Sequence, residues 1–122
     1  MALPVPRPIS EIAVSAYLAD LSTDSSTFAI APCRGRVVRA YSVIHAAITG
    51  ADANWLVKIA GTAVTGMTAV VANASSAPGD VDTALPTASN NTCNEGDHIE
   101  FDSDGASSTT CPTTFVAVIE RD

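Results

Sequence analysis

Aromatic residues make up only 5% of this 122-residue chain, leucine occurs five times, and 6 Lys and Arg stand against 13 Asp and Glu. Few aromatics and leucines mean a thin core, even though 47% of the residues are hydrophobic, because 21 of them are alanine. The shortage of cations argues against a nucleic-acid binder. Neutralising phosphates takes clustered Lys and Arg, and only Arg34, Arg36 and Arg39 cluster here. Long apolar runs are absent as well: every run is broken by Ser, Thr or Gly well short of the roughly 20 residues a membrane helix needs, so a soluble chain is expected. Met1 to Pro8 carries neither a basic segment nor an uninterrupted apolar one, and the chain is expected to stay in the cytoplasm where it is made. Cys33, Cys93 and Cys111 are odd in number and lack C-x-x-C spacing, which indicates neither a disulfide framework nor a zinc site. They read as small buried hydrophobes.

What the chain does have is β-branched side chain. Val, Ile and Thr total 33 residues, stiff at χ1 and suited to pleated strands. Residues 1 to 8 carry proline at positions 4, 6 and 8, which removes amide donors and predicts an extended arm. Strands are predicted at Ile9 to Tyr17, whose second face is also partly apolar, at Thr27 to Ala31, and along the β-branched run Arg36 to Ile48. A hairpin joins Trp55–Ile59 to Thr62–Val64 through Ala60-Gly61, and Met67 to Ala72 follows as a separate strand. Residues 73 to 91 predict a long irregular connection, then His98–Phe101 and Thr113–Glu120 close the set. The expectation is a single all-β domain over 9–122, a jelly-roll-like sandwich of about eight strands. Charge divides unevenly: residues 1 to 58 hold five basic and four acidic groups, and residues 59 to 122 hold one and nine, predicting one acidic edge.

Chemistry-bearing constellations are sparse. His45 and His98 are the available bases, and none of Cys33, Cys93, Cys111 or the serines sits in a nucleophile motif. His45 reads as a packed or interfacial histidine and His98 as exposed. The carboxylate pairs Glu100/Asp102 and Asp80/Asp82 share a face at spacing two, a pattern that acidic turns explain better than acid–base work. Asp102-Ser103-Asp104-Gly105 has the opening of a calcium loop, but the twelfth position is Thr113 where a bidentate Glu belongs, so an Asx-type turn is the simpler reading. No enzyme activity, cofactor or metal is expected. Arg34 and Arg36 share a strand face and could meet acidic groups of a neighbouring subunit.

Gly35-Arg36-Val37-Val38-Arg39-Ala40-Tyr41-Ser42-Val43-Ile44, Ala47 to Ala53 and Lys58 to Gly66 together resemble the small head decoration, or cement, proteins of tailed bacteriophages. The resemblance continues through Ala77 to Asp82, Glu95-Gly96-Asp97 and Gly105 to Ser108, covering roughly residues 10 to 119. It rests on turn and strand signatures, not catalytic motifs. It implies a β-sandwich on the outer capsid surface of the virion, bound to the major capsid protein and commonly trimeric, with a dimer as the alternative. The residues nominated for capsid contact are those of the arm: Leu3, Pro4, Val5, Pro6, Arg7, Pro8 and Ile9. Those nominated for the oligomer interface are Arg36, Tyr41, His45 and Trp55. The rival readings are another virion β-module (tail tube, fibre or head spike) and a carbohydrate-binding module using Trp55, Tyr41 and the Asp102–Gly105 loop.

Overall fold

The computed structural model describes residues 10–122, so the nominated arm lies outside the described residues. Nine strands follow one another with no helix among the described residues: β1 (Glu11–Leu18), β2 (Asp24–Ile30), β3 (Gly35–Ile44), β4 (Ala53–Ile59), β5 (Thr62–Val71), β6 (Val81–Ala84), β7 (Thr92–Cys93), β8 (His98–Asp104) and β9 (Thr113–Arg121). All pair antiparallel, in two sheets. One runs β1-β9-β3-β6 with β7 also on β3; the other runs β2-β8-β4-β5. The domain is the expected all-β sandwich.

Period-two alternation assembles it. Along β4, Ala53, Trp55, Val57 and Ile59 are buried while Asn54, Leu56 and Lys58 are not; along β9, Thr113, Phe115, Ala117 and Ile119 face inward. In β3 the inward set changes parity, from Val37 to Ala40, Ser42 and Ile44, because a bulge lies between Val37 and Arg39. Half of the six aromatic residues meet at the centre. Trp55 lies edge-on to Phe115 with centroids 5.1 Å apart, and Phe115 stacks on Phe101 at 4.9 Å. That cluster supplies the bulk that Ala-rich strands cannot.

Several expectations shift. The two predicted strands Thr62–Val64 and Met67–Ala72 merge into one, β5, which ends at Val71, because Gly66 takes φ of +78° and lets the chain bulge without breaking the pairing to β4. The connection 73–91 contains β6, which pairs with β3. β2 begins at Asp24, three residues before the predicted start at Thr27, and β3 ends at Ile44, which leaves His45 just beyond the strand. The Asp102–Asp104 segment belongs to β8. Cys93 and Cys111 are buried and Cys33 is half-buried, all three free.

Candidate interaction surfaces

Two outward sheet faces carry the side chains that the core does not use. On the β1-β9-β3-β6 sheet, register sets them in rows. Glu11, Glu120 and Arg36 lie in the first row, Ala13, Val118 and Arg39 in the next, Ser15, Val116, Tyr41 and Thr83 in the third, and Tyr17, Thr114, Val43 and Val81 in the last. The first two rows are charged but balanced. Arg36 Nη2 meets Glu120 Oε1 at 2.8 Å, and Arg39 grips Glu11 with two hydrogen bonds of 2.7 and 3.1 Å. The hydrogen bonds from Arg39 hold the Glu11 carboxyl below its ordinary value, and Glu11 in turn raises that of Arg39. Beyond Tyr41 the face becomes apolar, with Tyr17 and Val81 each 60% exposed at opposite edges of one row. His45 closes this end, its Nε2 2.9 Å from Thr114 Oγ1 and its ring 6.5 Å from that of Tyr17.

On the other sheet, the outward face is acidic. Asp24, Glu100, Asp102 and Asp104 stand in two neighbouring strands, with Lys58 the cation set among them. Lys58 Nζ reaches Asp102 Oδ2 at 3.2 Å, a pairing that raises the Lys58 pKa. Ser26 Oγ donates to Glu100 at 2.6 Å and to Asp102 at 3.2 Å. Next to them a shallow groove of about 310 Å³ is bordered by Asp24, Asn54, Leu56, Thr68, Asp102 and Asp104. Within it Asn54 bonds Asp104, and Asp102 is engaged by Lys58 and Ser26. Burial pushes the Asp104 pKa up, but hydrogen bonds from the Asn54 side chain and the Asn54 and Ala106 amides outweigh it and leave the carboxyl below its ordinary value. The Ala106 bond makes the predicted Asx-type turn, and no group of three potential metal ligands occurs among the described residues. Phe28 and His98 pack edge to face at 5.7 Å at the far end of this face.

Of the residues nominated for an oligomer interface, Arg36, Tyr41 and His45 share the outer β1-β9-β3-β6 face. Trp55 does not. It is 1% exposed in the core and its Nε1 donates to Ser42 Oγ at 3.1 Å, so the nomination of Trp55 as a surface contact is corrected. Its inward parity on β4 puts the largest apolar side chain where burial returns most. The same fact dismantles the glycan platform: Trp55 is internal, Tyr41 lies on one outer face and Asp102–Asp104 on the other. Arg34 and Arg36, expected to meet a neighbouring subunit, have partners in their own chain, Arg34 with Asp122 at 3.0 Å and Arg36 with Glu120, and Arg39 of the same cluster pairs with Glu11. Tyr17 and Val81 were missed as surface groups. The partly apolar second face of the first strand was the signal for Tyr17, whereas Val81 lies on β6, hidden in a segment too polar to read as strand.

No family model matches the chain, and no curated protein matches it in sequence. Its fold is similar to solved structures. A chain of the cyanophage Pam1 capsid asymmetric unit aligns with a TM-score of 0.56 at 9% identity, covering 100% of this chain and 94% of that one. A chain of the acidic stable capsid structure of Helicobacter pylori bacteriophage KHP30 aligns at 0.55 and 10% identity, covering 90% and 86%. The catalytic unit of a GH87 alpha-1,3-glucanase from Streptomyces thermodiastaticus aligns at 0.50 and 14%, over 92% of this chain but only 26% of the glucanase. At these identities the likeness establishes a shared sandwich fold.

Proposed function

We propose that this chain is a non-enzymatic structural protein of a phage virion that binds the outer surface of the assembled capsid and stabilises it. The observation that carries the reading is the near full-length likeness, in both directions, to chains of two phage capsid structures, joined to the decoration-protein signatures between residues 10 and 119. The surfaces agree with this role. Ion pairs and hydrogen bonds tie charged groups together within each outer face, which suits a rigid module presented to a lattice.

A protein that binds the assembled lattice and not the free subunits stabilises the shell by mass action. Few aromatics limit the affinity of each contact, so strength comes from many copies and from each oligomer engaging several capsid subunits. In this reading the major capsid protein is the partner, residues Leu3 to Ile9 are the capsid-binding arm, and Arg36, Tyr41 and His45 lie toward neighbouring copies in a trimer, with a dimer as the alternative. Synthesis takes place in the host cytoplasm, before the chain joins the virion. The test is sedimentation of the purified protein with expanded, undecorated heads. Saturation at hundreds of copies in a lattice multiple supports the reading, a few copies per particle points to a spike module, and no binding contradicts it in favour of a tail module.

A further inference from the structure

We propose that Cys33 and Cys93 form an oxidisable thiol pair, closed to an internal disulfide by a low-molecular-weight disulfide and tying the approach to β3 onto β7. The two are 60 residues apart in sequence, so no local spacing announces them. Topology brings them together. β7 pairs with the start of β3 and sets Cys93 opposite Gly35, two residues beyond Cys33. Gly35 puts no side chain between them, and the chain bends at Pro32, Cys33 and Arg34, off the extended line of β3. Cys93 Sγ therefore lies against this backbone, 3.9 Å from the Cys33 carbonyl oxygen and bonded by the Gly35 amide. Both flanks of Cys33 are fixed. Ala31 accepts from the Gly96 amide at 2.8 Å and donates to the Asp97 carbonyl at 2.9 Å, and the Arg34 carbonyl accepts from the Asp122 amide at 3.2 Å.

Access orders the chemistry. Cys33 is half-buried and Cys93 is buried, so an oxidant from solvent meets Cys33 first. The Cys33 thiolate attacks one sulfur of R–S–S–R, forming the mixed disulfide Cys33–S–S–R and releasing one RS⁻. The Cys93 thiolate then attacks the Cys33 sulfur and expels the second RS⁻; the two protons shed by the protein thiols end on two molecules of RSH. Burial, then the neighbouring Cys33 thiol, raise the Cys93 pKa and keep its thiolate scarce, which the intramolecular character of the second step offsets. Cys111 takes no part. It is buried beside Ala46, past the far end of the ten-residue β3 and roughly 30 Å from Cys33. The inference goes beyond the proposed function, which supplies only a setting: a chain made in a reducing cytoplasm and carried out of it.

The experiment incubates the reduced full chain at pH 8 with 2-hydroxyethyl disulfide, a neutral probe that Asp97 and Asp122 near Cys93 do not repel. Intact mass, non-reducing peptide mass spectrometry and a thermal melt are then read. The expected result is a loss of about 2 Da, a linked Cys33–Cys93 peptide, and unmodified Cys111. Closing so long a loop is expected to raise the melting temperature by roughly 10 °C, reversed by dithiothreitol. Cys33→Ser and Cys93→Ala are each expected to abolish the mass loss and the rise, and Cys111→Ser to keep both. Should Cys93→Ala fail to fold, Cys33→Ser, at a half-buried position, makes the same test. A stable mixed disulfide on Cys33 with no loss of mass overturns the inference. So does a dimer linked through Cys33, a bond that forms only in denaturant, or a closed form that melts below the reduced one.

Discussion

Trp55 Nε1 donates a 3.1 Å hydrogen bond to Ser42 Oγ, linking β4 of one sheet to β3 of the other through the buried centre of the sandwich. A buried indole N–H without an acceptor costs about 1–3 kcal/mol. Ser42→Ala is therefore expected to lower unfolding free energy by that amount, measured by urea denaturation. Trp55→Phe removes the donor together with some volume, so adding Ser42→Ala to it costs less than Ser42→Ala alone, a coupling that a double-mutant cycle reads directly.

Asp82 gives a pH-dependent prediction. It lies on β6 opposite Ser42, and burial, with a smaller contribution from Asp80, raises its carboxyl above the ordinary 3.8. A raised carboxyl favours the folded state when protonated, so its destabilising effect is absent below pH 3.8 and complete above its folded-state pKa. Asp82→Asn is expected to raise the melting temperature at pH 7 and to make no difference at pH 3.

Asp20 behaves in the opposite sense. Burial pushes its carboxyl up, but hydrogen bonds from the Ser22 hydroxyl and from the Cys111 and Ser22 amides outweigh that and leave it below 3.8. Its stabilisation is present above pH 3.8 and is lost as pH falls through the folded-state pKa. Asp20→Asn is expected to lower the melting temperature at pH 7, with the gap to wild type narrowing as the pH falls below that value.

Gly105 follows β8 with φ of +71°, and a Cβ there would collide with the backbone nitrogen of Asp24. Backbone cannot move aside as a flexible side chain can. Gly105→Ala is expected to cost about 1–3 kcal/mol in urea denaturation.

The cysteines should divide by accessibility. Burial, then the neighbouring Cys33 thiol, raises the Cys93 pKa, and Cys111 Sγ is buried 3.3 Å from the Ala46 carbonyl oxygen. Iodoacetamide at pH 8 is expected to label Cys33 first in the native protein and to reach Cys93 and Cys111 only in denaturant, as read by peptide mass spectrometry.

β4 and β9 were legible in the sequence through the alternation of Trp55, Val57 and Ile59 and of Phe115, Ala117 and Ile119, and β3 through its β-branched run. Which face points inward was not always legible. Trp55 was nominated for the surface since alternation fixes only that Trp55 and Val57 share a side, and the other sheet decides which side is the core. β6 escaped detection because Asp82 interrupts its four residues, and its pairing with β3 is a long-range contact with no local signal. Gly66 looked like a break because glycine punctuates turns and bulges alike. The balanced ion pairs of Arg36 and Arg39 join β3 to β9 and β1, separations that composition does not reveal.

The most direct measurement of the central claim is the melting temperature of expanded, undecorated heads titrated with this protein. The account predicts a shell melting temperature that rises with occupancy and levels off at the saturation point found by sedimentation. Binding that saturates without raising the shell's melting temperature, or no binding, would contradict it.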